Sequence, residues 1–494
     1  MPMNRRQFLQ AGLGSLAYFA TTRTVPAWVA KSATAIRKNL PTDRILVIVQ
    51  QAGGNDGLNT IIPYTDDLYM GDTLRPNLHI TSGFTVLDSL NAMNPRLSRL
   101  AQWYQAGKMA VVQNVGYPNP NYSHFVSTDY WERGTSPGSA LVTFQGWLSR
   151  YFDNKCAGTP ANDINALSML SGGLAVLPGT FDGSDIYRPP SVPKFDTYNL
   201  RAPNNAQGQH RLDYIDAIAK TAAIDSATDF LHRTTITAEA SAADLLTISQ
   251  TPVLNPYPAG SLGVGLDMVS KVIRSGFETP IFYVSQGGYD THANQFGNDP
   301  ATTGDHPALL SDFDLALDSF LKDMETSGNL DRVLVLTFSE FGRRVSENFS
   351  HGTDHGAGNC LFALGGQVLG GVYGGQPDLS TLVQGNLIYK IDFRSVYSRV
   401  LRDWMDVEPA VIFTEADYNN PAWNIPGGMD TAAFLTKITK GDVNRDGKVA
   451  ASDVQIVINA ALGRPVSFNA DVDGDGTIDA SDIQSVIDIV LAGK

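Results

Sequence analysis

The stretch Ile45-Leu46-Val47-Ile48-Val49-Gln50-Gln51-Ala52-Gly53-Gly54-Asn55-Asp56-Gly57 joins an apolar run to a glycine-rich, acidic turn. A continuous run of apolar, mostly β-branched residues reads as a strand covered on both faces, the kind found in parallel sheets sandwiched between helices. Met109-Ala110-Val111-Val112, Pro280 to Val284 and Val333 to Leu336 repeat the pattern. Helical periodicities lie between these runs: Pro95 to Tyr104, and Asp312 to Met324 with Phe313, Leu317, Phe320 and Leu321 on one face. Strands alternating with helices predict an α/β domain over residues 36–430 with a doubly wound, mostly parallel sheet. Ligands of such sheets sit beyond the carboxyl ends of the strands, so the segments that follow the strands are where chemistry is expected.

Those segments are dense in Gly, Asp, His and Glu. Gln51 to Gly57 follows the first strand, Asn121-Tyr122-Ser123-His124-Phe125 the second, Ser285 to His292 the third and Ser339-Glu340-Phe341-Gly342-Arg343 the fourth. A fifth, Gly352-Thr353-Asp354-His355-Gly356, precedes the apolar run Cys360 to Leu364. Carboxylates and neutral imidazoles are ligands for zinc, manganese and similar ions, which makes Asp56, Asp290, His292, Glu340, Asp354 and His355 candidate metal ligands. Asp290 and His292 are two apart and point the same way on an extended segment. Ser123 and His124 open a predicted helix, where free N–H groups favour an anion, and Arg343 is a candidate oxyanion clamp; these three are the candidate catalytic residues. Each has a plainer reading. Gly-Gly-Asn-Asp-Gly is also turn chemistry, Ser123 a helix cap, and Glu340 with Arg343 an ion pair.

Residues 436–494 carry a second signature. Asp442-Val-Asn444-Arg-Asp446-Gly-Lys448 and Asp471-Val-Asp473-Gly-Asp475-Gly-Thr477 each continue to an acid at loop position twelve, Asp453 and Asp482. Oxygen ligands at positions one, three, five, seven and twelve, with glycine at six, are the requirements of a calcium loop. One amphipathic helix follows each loop, and twelve is Asp rather than Glu, so this is a duplicated loop-helix rather than a helix-loop-helix sensor.

Composition sets limits. The chain has 494 residues, 43% hydrophobic and 17% charged, a globular balance for two to three domains. Its formal charge of -14, with no basic patch, excludes nucleic acid and anionic membrane as expected partners. A single Cys156–Cys360 bridge is the most that two cysteines allow. Asn4-Arg5-Arg6-Gln7-Phe8-Leu9 ahead of a weakly apolar stretch predicts a twin-arginine signal peptide over residues 1–35, hence export to the periplasm or beyond. No later stretch is apolar enough to span a membrane.

Two resemblances follow from these motifs. The C-terminal repeat resembles type I dockerins, small all-α calcium-binding modules. That implies two calcium ions, a cohesin partner met through Ala451-Ser452 and Ala480-Ser481, and a setting in extracellular polysaccharide breakdown. The string Gly-Gly-Asn-Asp-Gly, Asn-Tyr-Ser-His-Phe, Gly-Gly-Tyr-Asp-Thr-His, Ser-Glu-Phe-Gly-Arg and Gly-Thr-Asp-His-Gly resembles the exported bacterial family of unknown function DUF1501, grouped with the alkaline phosphatase and sulfatase superfamily. The resemblance implies an alkaline-phosphatase-like fold and a metal-dependent hydrolase of phosphate or sulfate esters, glycan esters among them. In it Asp56, Asp290, His292, Glu340 and His355 would hold metal and Ser123 would be the nucleophile. Where that superfamily carries Asp-His after a late strand, this chain has Glu340-Phe341. The Cys/Ser-x-Pro-x-Arg motif of formylglycine sulfatases is absent, Cys156 being followed by Ala157-Gly158-Thr159. The rival reading is a non-catalytic binding or scaffold component with structural metal.

Overall fold

A computed structural model describes residues 44–139, 145–155, 166–168, 179–180, 186–187, 248–276, 279–413, 434–435, 441–444, 448–464, 466, 470, 472–473 and 477–492. The predicted signal peptide, Cys156, and the loop residues Asp446, Asp471 and Asp475 lie outside the described residues.

The elements that build the central domain are, in chain order, β1 (Ile45–Gln51), α1 (Ser98–Gln105), β2 (Met109–Gly116), α2 (His124–Arg133), β3 (Ala166–Ser168), α3 (Ser261–Arg274), β4 (Ile281–Gln286), α4 (Asp305–Thr326), β5 (Val333–Phe338), β6 (Asn359–Gly365), β7 (Gly371–Tyr373), β8 (Ile391–Asp392) and α5 (Phe393–Asp403). They form a mixed α/β sheet of order β7-β2-β6-β5-β1-β4-β3, with β8 also on β2. β1 pairs parallel with β5 and β4, β4 with β3, and β2 with β7 and β8. β6 alone runs antiparallel, against both β5 and β2.

Alternation along the strands divides the core between two faces. Leu46, Ile48, Leu334 and Leu336 pack on one face with Trp131 of α2 and Phe393, Val396 and Val400 of α5. Ile45, Val47, Val333 and Val335 pack on the other with Leu266 and Val269 of α3 and Phe313, Leu317 and Phe320 of α4. Helices on both faces make the sheet doubly wound, and they are the reason its strands read as unbroken apolar runs.

Two element boundaries differ from expectation for local reasons. α4 starts at Asp305, seven residues before the predicted Asp312, because Pro307 falls in the first turn, where its missing N–H costs no hydrogen bond. Over Pro95–Leu97 the chain makes a 3₁₀ turn capped by Asn94, and α1 proper begins at Ser98. Cys360 is a free, buried thiol in β6, pushed up to about 12 by burial. No described helix is long and apolar enough to cross a membrane.

In the C-terminal module, α6 (Ala451–Ala461) and α7 (Ala480–Ala492) pack through Val457 and Val486. The position-twelve acids are buried and accept backbone N–H groups: Asp453 from Asn444 and Ala450 (both 2.9 Å), Asp482 from Val472 (2.7 Å), Asp473 (3.1 Å) and Asp479 (2.9 Å). Ala451, Ser452, Ala480 and Ser481 are exposed.

Candidate metal centre

Because β1, β4 and β5 run parallel, the loops that follow them leave the sheet at one edge. β6 runs the other way, so Asp354 and His355, which precede it, arrive at that same edge. Asn-Tyr-Ser-His after β2 delivers His124 as the first residue of α2. Gly53, at φ 123°, lets the first loop press against the third: a Cβ there would lie 2.3 Å from the Asp290 backbone nitrogen.

Arg343 stitches these loops together. Buried at 2% exposure, it donates from Nε to the Gly54 carbonyl (2.7 Å) and from Nη1 to that of Thr353 (2.8 Å). Its Nη2 serves the carbonyls of Gly53 and Tyr289 and the Asp290 carboxylate, the last at 2.8 Å. Partial burial works against ionisation of Asp290, yet the hydrogen bonds from Arg343 and His355 hold its carboxyl down at about 2.

Three imidazoles turn toward that carboxylate. Nε2 of His355 lies 3.1 Å and Nε2 of His292 3.2 Å from Asp290 Oδ1, and Nε2 of His124 lies 3.5 Å from Oδ2. One ligand atom each from His124, Asp290 and His355 fall within 4.8 Å of one another. Every Nδ1 is committed elsewhere: His124 to Glu340 Oε1 (2.8 Å), His292 to Asp354 Oδ1 (3.2 Å) and His355 to the Tyr122 carbonyl (2.8 Å). A carbonyl or carboxylate only accepts, so each Nδ1 carries its proton, and each Nε2 facing Asp290 either donates a proton to that carboxylate, as His355 does, or in the neutral ring offers its lone pair to a cation.

The consequence is electrostatic. The Nε2 atoms of His292 and His355 are 2.8 Å apart, and His124 Nε2 is buried with no hydrogen-bond partner. The His124–Glu340 hydrogen bond raises the His124 pKa, whereas burial lowers that of His355. A proton on one ring satisfies one lone pair; a divalent cation among three imidazoles and a carboxylate satisfies them all. The donor set suits zinc, manganese or a neighbouring transition metal rather than an all-oxygen calcium site. Carboxylates behind ligating imidazoles fix the ring tautomer, and losing one typically costs 10–100-fold in metal affinity. Glu340→Gln is therefore expected to weaken metal binding roughly tenfold or more while the fold survives, measured by competition with a chromogenic chelator. Unchanged affinity would show that Glu340 does not orient His124.

The structure redistributes the expected roles. Asp290, His292 and His355 come together, and His124, expected as a catalytic group, joins them as a donor. Glu340 and Asp354 stand behind imidazoles instead of among the converging atoms. Asp56 does not reach the cluster: Arg75 (2.7 Å), Gln295 (2.6 Å) and the Asn59 N–H (3.3 Å) take up its buried carboxylate. Arg343 as an oxyanion clamp is corrected too, since its donors are spent on the loops and Asp290, not on Glu340. Ser123 occupies the N-cap position of α2, exposed and without a side-chain cap bond. Gly-Gly-Tyr-Asp-Thr-His identified Asp290 and His292, but nothing in the sequence marked Arg75 or the Tyr122 carbonyl.

A cleft of about 520 Å³ opens beside the centre, lined by His124, Asp290 and Glu340 and by Phe125, Thr128, Asp129 and Glu132 of α2.

A family profile described as "Protein of unknown function (DUF1501)" matches residues 43–395, and "Dockerin type I domain" matches residues 440–491. No curated protein matches the chain. Solved structures similar to it include the PsFucS1 sulfatase from Pseudoalteromonas sp., at 10% identity and TM-score 0.31 over 77% of this chain and 71% of that one. Ps i-CgsB in complex with k-i-k-neocarrahexaose aligns at 11% and 0.33, over 79% and 76%. The lipoteichoic acid synthase LtaP from Listeria monocytogenes aligns at 10% and 0.30, over 70% and 74%. No residue role follows from likeness at this level.

Proposed function

The chain belongs to the DUF1501 family of proteins of unknown function and ends in a type I dockerin, and from that premise we propose a docked, metal-dependent ester hydrolase centred on His124, Asp290, His292 and His355. One observation carries the reading: three imidazoles, each with Nδ1 already committed, aim Nε2 at one ionised carboxylate. These four residues would hold a zinc or manganese ion, which would supply Lewis-acid activation of an ester and of water. The chain's part is to hold the donors. Arg343 fixes Asp290, Glu340 and Asp354 orient two rings, and Phe341 packs under His124 and His355 at 4.9 and 4.7 Å between ring centres. Asp290, half-exposed, faces the cleft where a substrate can enter. Phosphate, sulfate and acyl esters form the reaction panel.

The dockerin implies a cohesin partner. Export by the twin-arginine route and placement outside the cytoplasm, in a complex acting on polysaccharide, complete the proposal. Residues 36–430 would form the hydrolase and 436–494 the calcium-binding dock.

Elemental analysis of full-length protein purified without chelator is expected to find about one zinc or manganese per chain beyond calcium. A His124→Ala/Asp290→Ala double variant should lose that metal together with hydrolysis of the panel. Metal retained in the variant would place the ion elsewhere. A loaded wild-type protein inert toward every ester would favour the non-catalytic scaffold with structural metal, the reading in keeping with a Ser123 that is not among the converging donors and an Arg343 that is buried against four carbonyls and Asp290.

A further inference from the structure

Phe125, Thr128, Asp129 and Glu132 are spaced so that one face of α2 forms a wall of the cleft, starting one residue after His124. The Phe125 ring is 89% exposed at this wall. A bare ring beside polar acceptors is a surface for an amphipathic ligand that stacks one face and hydrogen-bonds its rim.

The charges narrow the ligand. No lysine or arginine is among the described residues of the cleft wall. Arg343 has its donors on backbone and Asp290, and Arg133, on the same helix, is paired with Asp129 at 2.7 Å. Away from the metal donors, an anion at this helix wall therefore finds carboxylates and no uncommitted cation. A cation at this wall fares little better, because Asp129 is already balanced by the Arg133 guanidinium. What remains for the Asp129 carboxylate is to accept hydrogen bonds from neutral hydroxyls.

We infer that the cleft binds an uncharged sugar ring of a glycan, its C–H face stacked on Phe125 and its hydroxyls donating to Asp129 and Thr128. The esters proposed above would then be carried on a neutral carbohydrate rather than presented as free phosphate or sulfate. This rests on the hydrolase reading only for the reaction; binding itself does not require turnover.

Saturation-transfer NMR on the full-length protein tests it with xylotetraose, cellotetraose and mannotetraose as neutral probes. A κ-carrageenan tetrasaccharide serves as the sulfated probe, glucose 6-phosphate as the phosphorylated one and tetralysine as the cationic one. At least one neutral probe should bind, and Phe125→Ala should weaken it by about tenfold, the size of one lost stacking contact. Asp129→Asn should weaken it less. Phe125 is exposed, so an unchanged far-ultraviolet spectrum and metal content should confirm that the variant is intact. Neutral binding that persists in a protein with no ester hydrolysis would retain this inference and remove the hydrolase. Tighter binding of the esterified sugars that still depends on Phe125 would support it, whereas preference for tetralysine, no neutral binding at all, or binding indifferent to Phe125 would overturn it.

Discussion

Chelating calcium from the full-length chain is expected to strip hydrogen-exchange protection from α6 and α7 and to abolish cohesin binding, while the eight-stranded sheet keeps its protection. The described hydrophobic core of this module is small: Val443, Val457, Ala470 and Val486 are its buried members. So little apolar burial does not order two helices and two loops unaided, and metal binding becomes folding free energy. The buried Asp453 and Asp482 carboxylates make the dependence sharper. Each ties its loop backbone to the start of a helix through N–H groups, and without a cation it is an uncompensated buried charge. Asp453→Ala and Asp482→Ala should each reproduce part of the loss and the pair all of it. Protection of Val457 and Val486 amides that survives excess chelator would show that the helices fold without metal.

The second large effect concerns a residue whose sequence setting suggested a ligand. Asp56→Ala is expected to cost about 3–5 kcal/mol of stability, because it leaves the fully buried Arg75 guanidinium without its counter-charge. Arg75 also holds the carbonyls of Val345 (2.6 Å) and Arg344 (2.9 Å), so disturbing it loosens the chain between β5 and β6. Denaturant melts of wild type and variant give the difference directly. Metal per folded chain should be unchanged, and loss of metal in this variant would return Asp56 to the ligand set. Burial works to raise the Asp56 pKa, but the Arg75 charge and hydrogen bond leave it below the ordinary 3.8. A folded pKa below the unfolded value adds stability that is complete above the unfolded pKa and disappears as pH falls through the folded one. The stability gap between wild type and Asp56→Asn should therefore hold at neutral pH and close as pH drops below 3.8.

The sequence by itself determined the strands and the calcium loops. Ile45–Gln51 and Val333–Phe338 are legible because a strand covered by helices on both faces has to be apolar throughout. The loops at Asp442 and Asp471 are legible because all their ligands lie within one short segment, where spacing is geometry. The gathering of four acidic, glycine-rich segments at one edge also followed from parallel strands, whereas the fifth, Asp354-His355, reaches it because β6 runs antiparallel. Which atoms meet there was a tertiary decision. Glu340 and His124 are 216 positions apart, and only the packing of α2 against the loop after β5 puts a carboxylate behind that imidazole rather than beside the others. Asp56 and Arg75 lie 19 positions apart, across two one-turn helices and a two-residue strand with no periodicity to predict their pairing. Arg343 resembled an oxyanion clamp until the folded chain surrounded it with carbonyls. A side chain's chemistry is written in its residue type, but its role depends on which partners occupy its donors and acceptors, and those arrive from distant parts of the chain only when the sheet is assembled.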